Sequence, residues 1–237
     1  MNNPEIEKIK ISECGEKPVV LTTDDFALDP MYFNWGLCGE REIKLRKGVL
    51  ERLKVAKAHL NSLKGCEQWN FKIWDGYRLL TTQKRLYDDY FALLRENHPE
   101  LSDKVIDEMV QIFVSPPSRD KHFPAPHNTG GAVDLTIIDE NFQELKMGSA
   151  FDEFNVRSFT AHYEKGFDDI GEMEVEVEQY SEEECLVFQK NRLLFLDVMA
   201  QAGFVNYFEE WWHFSYGDQE WALQTKNSHA VYGSIEL

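Results

Sequence analysis

The string His127 to Asp134 (HNTGGAVD) carries side chains suited to metal chemistry, a histidine and an aspartate on either side of two glycines. The glycines allow a tight turn, so the histidine can approach an aspartate on the strand that follows. Imidazole nitrogen and carboxylate oxygen are both good zinc ligands. A charged aspartate in an apolar strand is costly to bury unless it is compensated, and either a metal or a buried arginine would compensate it.

A second string, Glu209 to Tyr216 (EEWWHFSY), surrounds one histidine with four aromatic residues. In a regular strand His213 shares a face with Trp211 and Ser215, and Glu210 points away. Glu210 can reach the same centre as His213 only from a turn before the strand or from a bulge. The alternative for this string is an aromatic core cluster that contains a hydrogen-bonded histidine.

Taken together, the two strings predict a catalytic metal site for one zinc ion. His127, Asp134 and His213 make a three-ligand set, which leaves one coordination position for water, as catalytic zinc sites do. Zinc lowers the pKa of such a water to near 7. A nearby glutamate that is not a ligand, Glu210, would take the proton from that water.

The pattern H-x-x-G-x-A-x-D followed by E-x-W-H-F resembles that of the zinc D,D-peptidases, and within them the VanX-type D-alanyl-D-alanine dipeptidases. Three further segments agree in their order along the chain. They are D-G-Y-R at 75–78, M-G-S-A-F-D at 147–152, and the N-R-L-L helix at 191–194 that leads to G-F at 203–204. The likeness covers roughly residues 45–222.

The resemblance implies roles for individual residues beyond the three zinc ligands. Glu210 becomes the general base and later the acid that protonates the leaving amine. Arg78 stabilises the oxyanion of the tetrahedral intermediate; its structural alternative is an ion pair with Asp75. Asp152 recognises the free ammonium of the substrate; its structural alternative is a helix N-cap.

The resemblance also implies an activity, the hydrolysis of D-Ala-D-Ala or a similar small dipeptide. One rival is a D,D-carboxypeptidase or endopeptidase that uses the same zinc site on peptidoglycan peptides. Another is a non-catalytic binding protein that retains the site residues. Ala125 stands where the family usually has a serine, and Leu79 stands where it usually has a proline. The serine hydroxyl would contact substrate, so Ala125 leaves the substrate preference open.

Hydropathy patterns predict the elements that position these residues in a single α+β domain over 1–237. The resemblance implies that this domain has the hedgehog/D,D-peptidase-like fold, an antiparallel sheet flanked by helices. The predicted helices are 46–64, 81–95 with a Thr81 or Thr82 cap, about 10 residues after Ser102, and 182–202. The predicted strands are 67–74, 131–138, 204–208 and 211–216. Residues 1–44 are expected to be an irregular segment packed on the domain. The acidic stretch 165–184 is expected to be a lid or a solvated insertion.

Composition excludes several classes of protein. The chain has 237 residues, 43% of them apolar, and a net charge of −17. The apolar content excludes a disordered chain, and the acidity disfavours nucleic-acid and anionic-membrane partners. Four scattered cysteines indicate reduced thiols. The first 16 residues carry no signal-peptide pattern, and a cytoplasmic location is therefore expected.

Overall fold

The computed structural model describes residues 5–167 and 180–235. Within these ranges the α-helices are α1 (Met31–Asn34), α2 (Lys47–Ser62), α3 (Leu80–Asn97), α4 (Asp103–Phe113), α5 (Glu182–Gln201) and α6 (Gln219–Gln224). The strands in the same ranges are β1 (Lys10–Ile11), β2 (Pro18–Val20), β3 (Ala27–Leu28), β4 (Lys44–Arg46), β5 (Asn70–Asp75), β6 (Ala132–Ile138), β7 (Val205–Asn206), β8 (His213–Ser215) and β9 (His229–Ala230). Short 3-10 helices lie at Ile6–Lys8, Pro126–Thr129 and Val156–Ser158. The predicted α+β class is confirmed.

Five strands form the central sheet in the order β3-β5-β6-β8-β7. The pairs β5/β6, β6/β8 and β7/β8 are antiparallel, as predicted, whereas the edge strand β3 runs parallel to β5. All seven residues of β6 are buried. The strand is therefore an apolar run, and its one charged side chain, Asp134, must be compensated inside the protein.

Helices α2 and α5 pack against each other beside the sheet. On α2 the buried residues are Val49, Leu53, Ala56 and Leu60, which repeat every three or four positions along one face. Each large apolar side chain buried in this way contributes roughly 1.5–3 kcal/mol relative to exposure. The apolar periodicity that predicted these two helices thus corresponds to the face that each turns to the core.

Capping signals mark the ends of two helices as predicted. The Ser102 side chain accepts a hydrogen bond from the Val105 amide at the start of α4. Helix α5 ends just before Gly203, whose φ of +85° is in the left-handed region. The predicted threonine cap of α3 is wrong. That helix begins at Leu80, so Thr81 and Thr82 already lie inside its first turn.

The N-terminal segment is more ordered than the expected irregular structure, and that prediction is wrong at three strands. β2 pairs with β4, β3 extends the central sheet, and β1 pairs in parallel with β9 near the end of the described chain. Each of these strands has two or three residues. So short a strand shows no alternating pattern in the sequence, because only the pairing partner defines it.

Most of the acidic stretch lies at 168–179, outside the described residues. The alternation at 172–178 (EMEVEVE) falls there too, so the lid and the solvated insertion both stay predictions. Residues 182–184 of the stretch form the first turn of α5. In the part of the chain that the structure describes, no helix has the length and apolar character needed to cross a membrane.

Candidate active site

Two neighbouring strands and the turn before them bring the predicted metal ligands together. The register of β6 and β8 sets Asp134 directly opposite His213. His127 lies in the 3-10 turn that precedes β6, and Gly130 ends this turn with a φ of +69°. That left-handed conformation favours glycine. The chain reverses there, and His127 returns towards Asp134 as the glycine pair predicted.

The ligating atoms of these three buried side chains converge. Nε2 of His127 lies 3.2 Å from Oδ2 of Asp134, and Nδ1 of His213 lies 3.1 Å from Oδ1 of the same carboxylate. The two imidazole nitrogens are 3.1 Å apart. Ligand atoms bound tetrahedrally to zinc at 2.0–2.1 Å are separated by about 3.3 Å. The three residues therefore fit three corners of a zinc site.

Hydrogen bonds on the far side of the imidazoles orient them for this role. Nδ1 of His127 lies 2.7 Å from the carbonyl oxygen of Gly76. A carbonyl only accepts, so Nδ1 carries the proton and Nε2 presents its lone pair. Behind the other imidazole, the Ser215 hydroxyl lies 3.5 Å from Nε2 of His213 and donates to Asp218 at 2.7 Å.

The buried arginine predicted as a partner of Asp134 is present, and two histidines accompany it. Nη2 of Arg78 lies 3.5 Å from Oδ2 of Asp134, and the two histidines contact the same carboxylate. Burial by itself raises the pKa of Asp134, but the contacts with His127 and His213 lower this pKa well below its usual range. The carboxylate is therefore ionised and available as a ligand.

The aromatic residues on either side of His213 lie in a different environment from the histidine itself. Trp212 and Phe214 are fully buried in the hydrophobic core. His213, between them on the strand, faces the opposite way into a cavity. The aromatic core cluster is real, but its histidine belongs to the cavity and not to the core.

Glu210 lies in the turn before β8, which is where its predicted role required it. The Glu210 amide donates to the carbonyl of Tyr207, and the His213 amide donates to the carbonyl of Glu210. Oε2 of Glu210 thereby comes within 3.7 Å of Nδ1 of His213. Burial, followed by the negative charges of Asp134 and Asp152, raises the pKa of Glu210 well above its usual value.

Asn206, which the sequence analysis did not single out, holds this turn. Its Nδ2 donates to the backbone carbonyls of Glu210 and His213, at 3.0 and 2.9 Å. Its Oδ1 accepts a 2.6 Å hydrogen bond from the Thr160 hydroxyl. No sequence signal identifies such a residue, since asparagines that bridge loops have no fixed spacing.

Arg78 forms the ion pair that was its structural alternative and also lines the cavity. Its Nε donates to Asp75 at 2.9 Å, so the structural ion pair exists. Its Nη1 donates to Gln83 at 2.9 Å, and its Nη2 donates to the Tyr32 hydroxyl at 3.0 Å. Arg78 nevertheless lines the same cavity as the metal-ligand set. Sequence reasoning missed Tyr32, because 46 positions separate it from Arg78.

Asp152 also lines the cavity, and the alternative of a helix N-cap is wrong. No helix begins at this position, and the nearest 3-10 helix is capped by Asn155. The φ of Asp152 is +55°, in the left-handed region that aspartate tolerates better than most residues. Burial first, and then the charge of Asp134, raise the pKa of Asp152 to about 7.

These side chains surround one cavity of about 410 Å³. It contains all of the predicted site residues, and Ala125 is part of its wall. The volume is at the lower end of the range for small-molecule sites. A buried carboxylate next to a potential metal site, with an arginine in the same wall, provides the groups needed to hydrolyse an amide bond.

Comparisons with known proteins identify the family. The sequence model of peptidase family M15, described as D-ala-D-ala dipeptidase, matches residues 39–231. A D-alanyl-D-alanine dipeptidase of Synechocystis sp. is 32% identical over 246 residues, 96% of this chain and 95% of that protein. The D-alanyl-D-alanine dipeptidase of Escherichia coli is 35% identical over 88 residues, 37% of this chain and 36% of that protein.

Among solved structures, a mutant of the vancomycin resistance D,D-pentapeptidase VanY in complex with Zn(II) has a TM-score of 0.43 and 12% identity. The superposition covers 81% of this chain and 83% of that one. The family match extends over most of the chain and includes the turn before β6, the strands β6 and β8, and all six predicted site residues. The chain belongs to the D-ala-D-ala dipeptidase family and is a peptidase.

Proposed function

We propose that this protein is a zinc-dependent dipeptidase that hydrolyses D-Ala-D-Ala or a similar small D,D-dipeptide. His127, Asp134 and His213 would hold one zinc ion. The observation that carries the proposal is the convergence of their ligating atoms to 3.1–3.2 Å beside a buried glutamate. A merely structural ion pair would not need a second buried carboxyl group so close to the ligand atoms.

A bound zinc ion would act as a Lewis acid that acidifies a water molecule and polarises the substrate carbonyl. Glu210 would serve as the general base. Its Oε2 lies 3.7 Å from a ligand nitrogen, and burial raises its pKa, so that it holds a proton more readily than an exposed carboxyl group does. Glu210 takes one proton from the attacking water and later gives it to the leaving amine. The carbon–nitrogen bond breaks, and two amino acids are released.

Arg78 would stabilise the negative charge that develops on the carbonyl oxygen. Its guanidinium group is held by Asp75, Gln83 and Tyr32, so it need not reorganise during the reaction. A fixed donor of this kind is effective because its orientation is already set in the ground state. The ion pair with Asp75 then positions Arg78 and does not compete with catalysis.

Asp152 would bind the free ammonium group of the substrate. Its carboxyl group lines the cavity together with Arg78 and Glu210. An ammonium ion next to Asp152 would favour its charged form and compensate the burial that now raises its pKa. This preference for a free amino terminus distinguishes a dipeptidase from an enzyme that acts at the end of a longer chain.

The cavity volume favours the dipeptidase over the D,D-carboxypeptidase or endopeptidase. An enzyme that acts on peptidoglycan peptides needs room for a chain that leaves the site, whereas a 410 Å³ cavity matches a small molecule. Ala125 supports the non-catalytic alternative only in that it removes one hydroxyl group from the wall. Glu210 and Arg78 argue for catalysis, because a binding protein requires neither.

The test is release of free alanine from D-Ala-D-Ala by the zinc-loaded protein, with N-acetyl-D-Ala-D-Ala and L-Ala-L-Ala as parallel substrates. We expect cleavage of the free D,D-dipeptide alone and loss of this cleavage in Glu210→Ala. Cleavage of the acetylated peptide alone would favour the carboxypeptidase. If D-Ala-D-Ala binds but is not cleaved by the zinc-loaded protein, the binding protein is the better description.

A further inference from the structure

The N-terminal segment forms part of the wall of the active-site cavity. Ile6 and Glu7, from the 3-10 helix Ile6–Lys8, line the cavity that contains Glu210. The proline-rich loop 115–126 also lines the cavity, with Ser115, Phe123 and Ala125 among its lining residues. Two segments that are far apart in sequence therefore share the boundary of one small cavity.

The side chain of Gln219 joins these two segments. Its Nε2 donates to the carbonyl of Ile9 at 2.7 Å and to the carbonyl of His122, in the proline-rich loop, at 3.0 Å. The two hydrogens of one amide nitrogen thus satisfy two carbonyls. Gln219 is only 4% exposed and itself lines the cavity. The same buried amide group therefore links both backbones, and its loss removes both of these hydrogen bonds.

Strand β1 provides a second attachment for the segment. It pairs with β9, and beyond that pair the Ser12 amide donates to the Ala230 carbonyl at 2.8 Å. The Cys14 amide donates to the Val231 carbonyl at 3.0 Å. Residues 10–14 are thereby held by backbone pairing. The preceding residues, which include Ile6 and Glu7 of the cavity wall, pack against α6, and the Gln219 side chain bonds to their backbone.

We propose that residues 5–9 form a wall that limits the length of the peptide that the cavity accepts, and that Gln219 is the residue that positions this wall. The inference rests on the proposed function, since it concerns the substrate of the same site. Its physical basis is that these two segments share the cavity wall, so a longer peptide that extends on this side would have to displace one of them. Gln219 holds these two elements to each other.

The experiment compares D-Ala-D-Ala with D-Ala-D-Ala-D-Ala on the zinc-loaded, full-length protein. Gln219→Glu keeps the size of the side chain but turns an acceptor towards the two carbonyls, and Gln219→Met removes the donors without adding charge. Gln201→Glu, at an exposed position of α5, is the matched control. We expect the ratio of kcat/KM for the tripeptide to that for the dipeptide to rise about tenfold in both Gln219 variants and to stay unchanged in the control.

A second variant tests the wall without disturbing its attachment. Ile6→Ala combined with Glu7→Ala shortens two partly or fully exposed side chains, and the same rise in the ratio is expected. Hydrogen exchange of the amides in residues 5–11 should accelerate only in the Gln219 variants. If exchange accelerates and the ratio stays constant, the wall does not control peptide length. If exchange is unchanged in both Gln219 variants, Gln219 does not position the wall.

These outcomes are separate from the failure of the proposed function. If the wild-type protein cleaves D-Ala-D-Ala and every variant keeps the wild-type ratio of the two kcat/KM values, the inference about the wall is refuted and the proposed function is not. A zinc-loaded wild-type protein that cleaves neither peptide refutes the proposed dipeptidase, and the length limit with it.

Discussion

Asn206 offers a quantitative test of how the active-site turn is held. Replacing it by alanine removes the two hydrogen bonds from Nδ2 to the carbonyls of Glu210 and His213, and the one from Thr160 to Oδ1. The chain contains a matched control in Asn61. The Nδ2 of Asn61 also donates to two backbone carbonyls, those of Cys66 and Trp69 at 2.8 Å each, at the end of α2.

The expected losses of stability follow from counting these hydrogen bonds. A partly buried hydrogen bond contributes about 1 kcal/mol net to the free energy of unfolding. Asn61→Ala loses two, and its free energy of unfolding should fall by about 2 kcal/mol. Asn206→Ala loses three and should fall by about 3 kcal/mol. The two variants should therefore lose similar amounts of stability. Asn206→Ala frees the turn that carries Glu210, whereas Asn61→Ala frees the end of α2.

Activity should distinguish them sharply. In Asn206→Ala the turn that carries Glu210 is no longer fixed, and a displacement of about 1 Å in a catalytic group costs on the order of a hundredfold in rate. That loss corresponds to about 2.7 kcal/mol in the activation free energy. Asn61→Ala should keep the kcat of the wild type.

The assay is kcat for D-Ala-D-Ala, with zinc content and the denaturant unfolding curve measured on the same samples. Temperature is chosen so that both variants remain folded. Equal kcat in Asn206→Ala and Asn61→Ala would refute the positioning role. A full loss of zinc from Asn206→Ala would instead locate its effect at His213 and not at Glu210.

Three further predictions concern the ionisable groups. Glu210→Gln should lower kcat by about 10²–10⁴-fold and retain zinc, since the residue is a base and not a ligand; Glu209→Gln, the neighbouring and less buried carboxylate, is the control. Asp152→Asn should raise KM for D-Ala-D-Ala by roughly 10–100-fold, because a charged hydrogen bond to the substrate ammonium is lost. The methyl ester of the dipeptide keeps the ammonium group, so its KM should rise by a similar factor. Between pH 6.5 and 8 the metal-free protein should become less stable as pH rises. Burial raises the pKa values of Asp152, to about 7, and of Glu210 above those of the unfolded chain, so the folded state binds more protons and loses stability when these protons leave.

Each of these predictions has a result that contradicts it. Loss of zinc in Glu210→Gln would make Glu210 a ligand. An unchanged KM for both substrates in Asp152→Asn would remove that residue from ammonium recognition, whereas both values should rise together if the assignment is correct. A thermal midpoint of the metal-free protein that stays constant or increases from pH 6.5 to 8 would show that the two carboxyl groups do not control its stability.

Local sequence patterns were sufficient where neighbouring residues determine the structure. The glycine pair after His127 predicted the reversal that returns the histidine to Asp134, because a left-handed φ at Gly130 needs no distant partner. The Ser102 cap located the start of α4, and apolar periodicity with Gly203 as the stop located α5 to within about one residue. The requirement that Glu210 lie in a turn came from strand alternation alone.

Other features depend on residues that only the fold brings together. Arg78 contacts Tyr32 and Asp134, which lie 46 and 56 positions away in the sequence. Because these contacts are not visible in the sequence, the sequence could not show that Arg78 both pairs with Asp75 and lines the cavity. The helix cap, which was the structural alternative for Asp152, is wrong because no helix begins there; the residue instead adopts a left-handed φ.

The side chains that could bind a metal, and the turn that brings them together, could be predicted from residue types and local spacing, because both depend on near neighbours in the chain. The way in which the rest of the chain encloses these residues depends on tertiary contacts. The short strands β1 and β3 exist only through their pairing with β9 and β5. The contacts of Asn206 and Gln219 join backbones that are distant in sequence. Every residue has a backbone carbonyl that can accept a hydrogen bond, whatever its side chain. The sequence therefore cannot show which carbonyl a distant side chain will bind.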